Sequence, residues 1–273
     1  MNILKYSKGV IMGFMQFNFG LNWKEYSLKA LSEERVESAR RDFKSLFGGI
    51  QLEHKSFLDI GCGQGLSALI ASEDHAEVVC NDINFISEQL LKLNKTHFDI
   101  EDTITFIKGS ILEKNILEKI KTCQTEYDIV HSWGVVHHTG NMYKAIDTLC
   151  GLVKKEGVLV LAIYNRHWSS PYWKMIKYLY NKSPNLVRRM MIYIFFYVVY
   201  IAKYLVTHKS PFEKQRGMDF YYDVIDWVGG YPYEYASIKE ISDYVTKNGF
   251  ELIKSIPAEV PTGCNEMIFK RGL

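Results

Sequence analysis

The chain has 273 residues, 47% of them hydrophobic, which suffices for one large core with an elaborate lid. With 33 basic against 31 acidic residues, the formal charge of +2 gives no broad field for steering onto nucleic acid. Cys62, Cys80, Cys123, Cys150 and Cys264 form no CxxC pair, so free thiols in a reducing cytoplasm fit better than a disulfide framework or a zinc site.

Residues 1–54 are expected to form a mainly helical and irregular N-terminal lid segment. They show no ordered succession of charged, apolar and cleavage-site regions, so no secretory signal is read. Phe14, Phe17, Phe19 and Trp23 alternate with Gly13, Asn18, Gly20 and Asn22. This stretch either packs on the core or closes residues 19–23 over a ligand. From 32 to 47, Val36, Ala39, Phe43 and Leu46 share one face of an amphipathic helix.

Strand-like runs follow at 56–60, 77–81, 103–108, 128–132 and 157–164, with helical segments at 66–72, 86–97, 111–121 and 142–153. This alternation, filling 55–165, calls for a mostly parallel sheet covered on both faces. Ligands in such sheets sit beyond the carboxyl ends of the strands. That rule gathers residues 59–65, Asp82, residues 109–111 and residues 132–138 into one site.

Residues 166–234 break the rhythm and are expected to be a mainly helical insertion, forming the acceptor pocket or a lid. Ser170-Pro171 suggests an N-cap followed by proline at the first helical position. A second helix from about 186 to 205 carries Tyr193, Tyr197, Tyr200 and Tyr204 in one stripe. Its uncharged run, 190–202, is short of the roughly 20 residues needed to span a bilayer, so a buried or interfacial helix is expected. The stripe can pack the insertion onto the sheet, wall a pocket or face a membrane. In 235–273, Ser237 and Glu240 match a capping box, and Asn248-Gly249 stops that helix. Two strands near 250–256 and 266–270 would form a hairpin that completes the sheet with one antiparallel strand.

The densest motif is Phe57-Leu58-Asp59-Ile60-Gly61-Cys62-Gly63-Gln64-Gly65. An apolar strand ends in an acid and breaks into three glycines, so backbone can approach a ligand closely. A dinucleotide site would want its third glycine one residue later, and Asp59 would oppose a pyrophosphate. The acid suits a cationic ligand instead. S-adenosylmethionine carries an ammonium and a sulfonium and no phosphate. Asp82 can accept both ribose hydroxyls, Ile83 and Ile111 can flank adenine, and Ser110 can address its edge.

Together with Asn81-Asp82, Gly109-Ser110, Tyr127-Asp128-Ile129-Val130 and the segment from Ser132 to His138, the motif resembles the class I S-adenosylmethionine-dependent methyltransferases. The resemblance implies an α/β Rossmann-like fold in three α/β/α layers, with a seven-stranded, mostly parallel sheet whose last strand is antiparallel. It places cofactor roles on Asp59, Gly61, Gly63, Gly65, Asp82 and Gly109, and on the backbone of Ser132. Cys62, Trp133 and Trp23 complete the expected cofactor set. Phe17-Asn18-Phe19-Gly20-Leu21-Asn22-Trp23, Arg216-Gly217-Met218 and the segment from Asp226 to Glu234 add a narrower resemblance. It is to a bacterial subgroup near the quinone and small-molecule O-methyltransferases.

Methyl transfer is an in-line displacement and chiefly a matter of positioning. A hydroxyl acceptor gains from losing its proton, and histidine suits that work. His138 is the first candidate for general base and His137 the second; local support of a turn is the competing role for both. His131, inside a strand, is expected to be a satisfied core histidine. Phe19, Asn22, His137, Arg216, Tyr222, Tyr233 and Glu234 are candidate acceptor contacts, and no metal is required. The expected acceptor is a small molecule: a glycan intermediate, a phenol or a quinone precursor. The alternatives are a protein or nucleic-acid acceptor, or a non-catalytic cofactor-binding partner. The expected location is cytoplasmic, with peripheral contact to the inner membrane face through 190–205.

Overall fold

A computed structural model describes residues 9–11, 14–210, 212 and 218–273. The described chain opens with a short antiparallel hairpin, β1 (Gly9–Ile11) and β2 (Phe14–Gln16), where helix and irregular chain were expected. Strands of three residues are too short for a period-2 pattern to register. Helices α1 (Phe19–Lys29) and α2 (Glu33–Phe47) follow. Val36, Ala39, Phe43 and Leu46 are all buried on one face of α2, as its spacing predicts.

The core then alternates through β3 (Ser56–Ile60), α3 (Leu66–Glu73), β4 (Glu77–Asp82), α4 (Ile86–Asn94), β5 (Thr105–Lys108), α5 (Lys114–Cys123), β6 (Tyr127–Trp133), α6 (Met142–Cys150) and β7 (Val153–Tyr164). Helix α6 ends three residues earlier than expected, because the chain turns at Gly151 and Val153 pairs with Tyr127. Lys154, Lys155 and Glu156 mask the beginning of β7 in the sequence. After the insertion come α10 (Ile238–Thr246), β8 (Phe250–Ile256) and β9 (Cys264–Arg271). The capping box on α10 is formed, Ser237 Oγ accepting from Glu240 N and Glu240 accepting from Ser237 N.

The sheet order is β5-β4-β3-β6-β7-β9-β8. Only β9 runs antiparallel to its neighbours β7 and β8. Alternation on β3 sorts the faces: Leu58 and Ile60 join α5, α6 and α10, while Phe57 joins α2 and α3. These two apolar clusters make the three layers of a Rossmann-like fold.

The insertion carries α7 (Ser170–Lys182), α8 (Asn185–Thr207) and α9 (Phe220–Gly229). The cap of α7 is Ser169 rather than Ser170, whose hydroxyl accepts from His167 N instead. These helices build a third, separate cluster with Phe17, through Tyr180, Ile192, Phe220, Val224 and Val228. Helix α8 thus packs on α7 and α9, not on the sheet. Its 23 residues are long and apolar enough to cross a membrane, although the uncharged run alone is not. Tyr193, Tyr197 and Tyr204 are at least half exposed, and only Tyr200 of the stripe joins the cluster. Of the two forms expected for α8, buried or interfacial, the buried one is corrected.

Leu161 in β7 is fully buried, whereas Ile201 on α8 is 54% exposed. Leu161→Ala should cost about 2–5 kcal/mol in chemical denaturation. Ile201→Ala should change stability by no more than about 0.5 kcal/mol. A comparable loss at Ile201 would mean that the outer side of α8 belongs to the folded core.

Candidate functional site

The site is built where β3, β4, β5 and β6 end. Gly61, Gly63 and Gly65 have φ of 73°, 56° and 83°, a left-handed path that favours glycine. A Cβ on Gly61 would collide with Val135, and one on Gly65 with Leu91. The Asn81 carbonyl accepts from Gly61 N (2.7 Å) and Cys62 N (3.1 Å). Its side-chain amide donates to Ile107 O (2.9 Å) and Gly109 O (3.0 Å). One residue therefore fixes the glycine turn and the end of β5 together. Asp82 accepts from Gly63 N (2.9 Å) through one oxygen and from Asn84 N (2.7 Å) through the other. Burial raises this carboxyl against those bonds. Each oxygen retains lone-pair capacity for a ribose hydroxyl.

Asp59 is 2% exposed. Its Oδ1 accepts from His131 Nδ1 at 2.8 Å, while its buried Oδ2 has no hydrogen-bond partner. His131 lies among the rings of Phe43, Phe47 and Phe57, so its orientation is set by packing. It is a satisfied histidine, as expected, but one that holds the acid of the motif. A buried carboxylate oxygen left unpaired is costly and calls for a donor or cation. The α-ammonium of S-adenosylmethionine would meet that requirement, and the glycine turn would let the main chain approach it closely. The residues present thus fit this cofactor.

The two adjacent histidines differ in chemistry. His138 Nδ1 lies 2.6 Å from Pro232 O, which can only accept, so Nδ1 carries the proton and Nε2 bears the lone pair. His137 Nδ1 instead accepts from Tyr164 N at 3.3 Å, so Nε2 carries its proton and has no hydrogen-bond partner. Burial lowers both imidazoles: His138 to about 3, and His137 well below its ordinary value. The turn at 231–234, whose Tyr231–Pro232 peptide is cis, serves several neighbours. Tyr231 O accepts from Phe17 N, Glu234 N donates to His137 O, and the Glu234 carboxylate accepts from Met142 N.

A cleft of about 1560 Å³ joins these parts. It brings together Asp59, Gly61, Cys62, Gly63, Asp82, Ile83, Gly109, Ser110 and Ile111 with Trp23, Phe19, Trp133, His137 and His138. Several expected contacts stand behind it. Gly65 precedes α3, and Ser132 is buried with its hydroxyl donating to Ile60 O (3.3 Å). Asn22 ties α1 to α9 by donating to Tyr222 O (2.9 Å) and Asp226 Oδ1 (2.7 Å). Tyr222 packs edge-on against Tyr26, Tyr233 is buried against Tyr164, and Glu234 supports α6. The expected contacts Asn22, Tyr222, Tyr233 and Glu234 are thus corrected to supporting positions. Arg216 lies outside the described residues.

Further residues line the cleft. Tyr164 ends β7, Trp173 and Trp227 meet edge to face with ring centroids 3.9 Å apart, and Asp223 and Asp226 come from α9. Behind them Lys177 is fully buried, donates to Trp227 O, and is surrounded by the rings of Tyr164, Trp227 and Tyr233. Burial lowers its ammonium to about 7. Its helical spacing in α7 reads as apolar-face periodicity with a lysine in it, which was the available signal.

A methyltransferase-domain family model matches residues 32–255. A curated relative, the ubiquinone biosynthesis O-methyltransferase of Bartonella quintana, is 28% identical over 119 residues, covering 43% of this chain and 44% of that protein. The same enzyme of Rhodopseudomonas palustris is 27% identical over 121 residues. The chain thus matches less than half the length of these relatives. Among solved structures, magnesium protoporphyrin IX methyltransferase of Synechocystis with bound S-adenosylhomocysteine has a TM-score of 0.52 at 15% identity, covering 98% of this chain and 91% of that one. The N-methyltransferase of Bradyrhizobium japonicum in complex with the same product has a TM-score of 0.51 at 12% identity, covering 93% and 98%. The acid-and-glycine strand end, the sheet order and the family match converge: this chain belongs to the methyltransferase-domain family and is a class I S-adenosylmethionine-dependent methyltransferase.

Proposed function

We propose that this enzyme methylates a hydroxyl oxygen of a small, largely apolar molecule, such as a phenol or quinone precursor, with His138 as general base. The observation that carries this is the pinned His138 ring. Its Nδ1 is committed to Pro232 O, it lines the cleft, and Phe19 lies 4.8 Å away between ring centroids. The cleft exceeds the roughly 300–1,000 Å³ of ordinary ligand pockets, leaving room for cofactor and acceptor together. The likeness to ubiquinone biosynthesis O-methyltransferases supports an oxygen acceptor. The described parts of 1–54 and 166–234 supply the acceptor side of the cofactor-binding core, 55–165, with 235–273 completing its sheet.

Bound S-adenosylmethionine supplies an electrophilic methyl carbon on a sulfonium. Asp59 Oδ2 would hold its ammonium, the turn at Gly61 and Gly63 would lie against it, and Asp82 would accept from its ribose hydroxyls. His138 Nε2 would take the acceptor's hydroxyl proton as that oxygen is methylated, and the cofactor would supply the leaving group, a neutral thioether. His137 lines the same cleft beside His138, and Phe19, Trp23 and Trp133 give it aromatic walls.

Asp59→Asn should weaken S-adenosylmethionine binding at least about tenfold in calorimetry, a loss of about 1.4 kcal/mol. Unchanged affinity would remove Asp59 from that role. Transfer of labelled methyl into a metabolite extract should identify the acceptor. With it, His138→Gln should lower kcat by about 10²–10⁴-fold while cofactor affinity holds. Undiminished kcat would end the general-base assignment.

Because His138 sits near 3 in the fold against 6.5 in the free residue, the unfolded chain binds more protons between those values. Its contribution to stability is present above pH 6.5 and is lost as the pH falls toward 3. The ring should stay neutral from pH 8 to 5 in imidazole NMR titration, and a midpoint near 6.5 would contradict its burial.

A further inference from the structure

Helix α8 has two unlike sides. Ile192, Phe196, Val199 and Tyr200 turn inward onto α7 and α9. Met190, Ile194, Tyr197, Ile201 and Leu205, spaced three to four residues apart, and Tyr193 beside them, are each more than half exposed. On the segment leading into and through α7, Trp168, Tyr172, Met175 and Leu179 repeat that spacing and are also exposed. Such a stripe is larger than the isolated apolar side chains of an ordinary surface.

The charge around it is one-sided. Every charged residue from 157 to 212 is a lysine or arginine, although the whole chain is nearly balanced at 33 basic to 31 acidic. Lys174, Lys182, Arg189 and Lys209 are exposed beside the two helices. A second copy of this chain would bring the same basic surface against itself in a two-fold contact. An anionic lipid surface supplies the missing negative charge, and tryptophan and tyrosine suit its polar–apolar boundary.

We propose that α7 and α8 form a docking surface for an anionic lipid bilayer, with α8 lying in the interfacial plane. Spanning is opposed by the inner side of α8, which is held in the fold. Arg188 is buried there and donates to Tyr180 O (3.0 Å) and Asn181 O (2.6 Å). Pulling α8 across a membrane would bare the cluster it shares with α7 and α9. The same helix walls the cleft through Val198, Val199, Ala202 and Val206. Resting on the methyl-transfer reading, this continuity assigns the acceptor to molecules dissolved in the bilayer, which reach the cleft past α8.

The test is co-sedimentation of the full chain with vesicles of phosphatidylcholine alone or mixed equally with phosphatidylglycerol, without acceptor. Binding should be at least tenfold tighter to the mixed vesicles and should weaken in high salt. Ile194→Glu combined with Ile201→Glu should lose tenfold or more of that binding, with calorimetric affinity for S-adenosylmethionine unchanged. Neither isoleucine lines the cleft. The proposal is overturned by equal sedimentation of the two proteins, by none at all, or by retention through alkaline carbonate extraction. A wild-type dimer that dissociates in the double variant, without lipid binding, would assign the surface to a second copy. Loss of cofactor binding in the wild type would defeat the methyl-transfer reading and leave the vesicle result standing.

Discussion

The cofactor end of the molecule depends on Asn81. Its carbonyl receives the two amides that open the glycine turn, and its side chain closes onto the end of β5. Without that clamp, Gly61, Gly63 and Gly65 would have no reason to hold one left-handed path among many, since glycine gives up more backbone freedom than other residues. The clamp works because β4 lies between β3 and β5, so one residue can reach both neighbours. Asp82, next in sequence, then arrives under Gly63 with its carboxylate already oriented.

A second requirement concerns charge. The strand that presents the turn also buries Asp59, and strand alternation puts that acid on the α2–α3 face, where the aromatic packing of Phe43, Phe47 and Phe57 encloses His131. The histidine satisfies one carboxylate oxygen and leaves the other without a partner. Asp59 itself lines the cleft, beside Gly61 and Gly63. Apolar packing and a polar vacancy are thereby coupled: the first immobilises the imidazole, and the imidazole decides which oxygen remains for a ligand.

Much of this was legible in residues 56–133, because a parallel sheet imposes short range rules: apolar runs, glycine breaks and acids at strand ends. Asp59, Asp82 and the capping box at Ser237 and Glu240 follow from local chemistry. The acceptor side was less legible because its roles depend on partners far away in sequence. Asn22 sits in a stretch that suggested ligand contact, yet its amide is consumed by α9, some 200 residues on. Glu234 was read as facing an acceptor and instead caps α6. Lys177 is marked locally only by its place on the apolar face of α7, since its cage of rings comes from β7, α9 and the following turn. Helix α8 runs close to its expected bounds, but its apolar length was measured on 190–202 alone, because Arg188, Arg189 and Lys203 bound the uncharged run without interrupting the helix.

The turn at 231–234 has a consequence for traffic. It holds Phe17 by its backbone and His138 by its ring in the same few residues. Swinging the N-terminal segment away by breaking this turn would also release the imidazole and loosen the backbone of His137. Entry through that side would therefore meet an unassembled wall. Keeping that turn intact thus keeps the Phe17 segment and both histidines in a single arrangement.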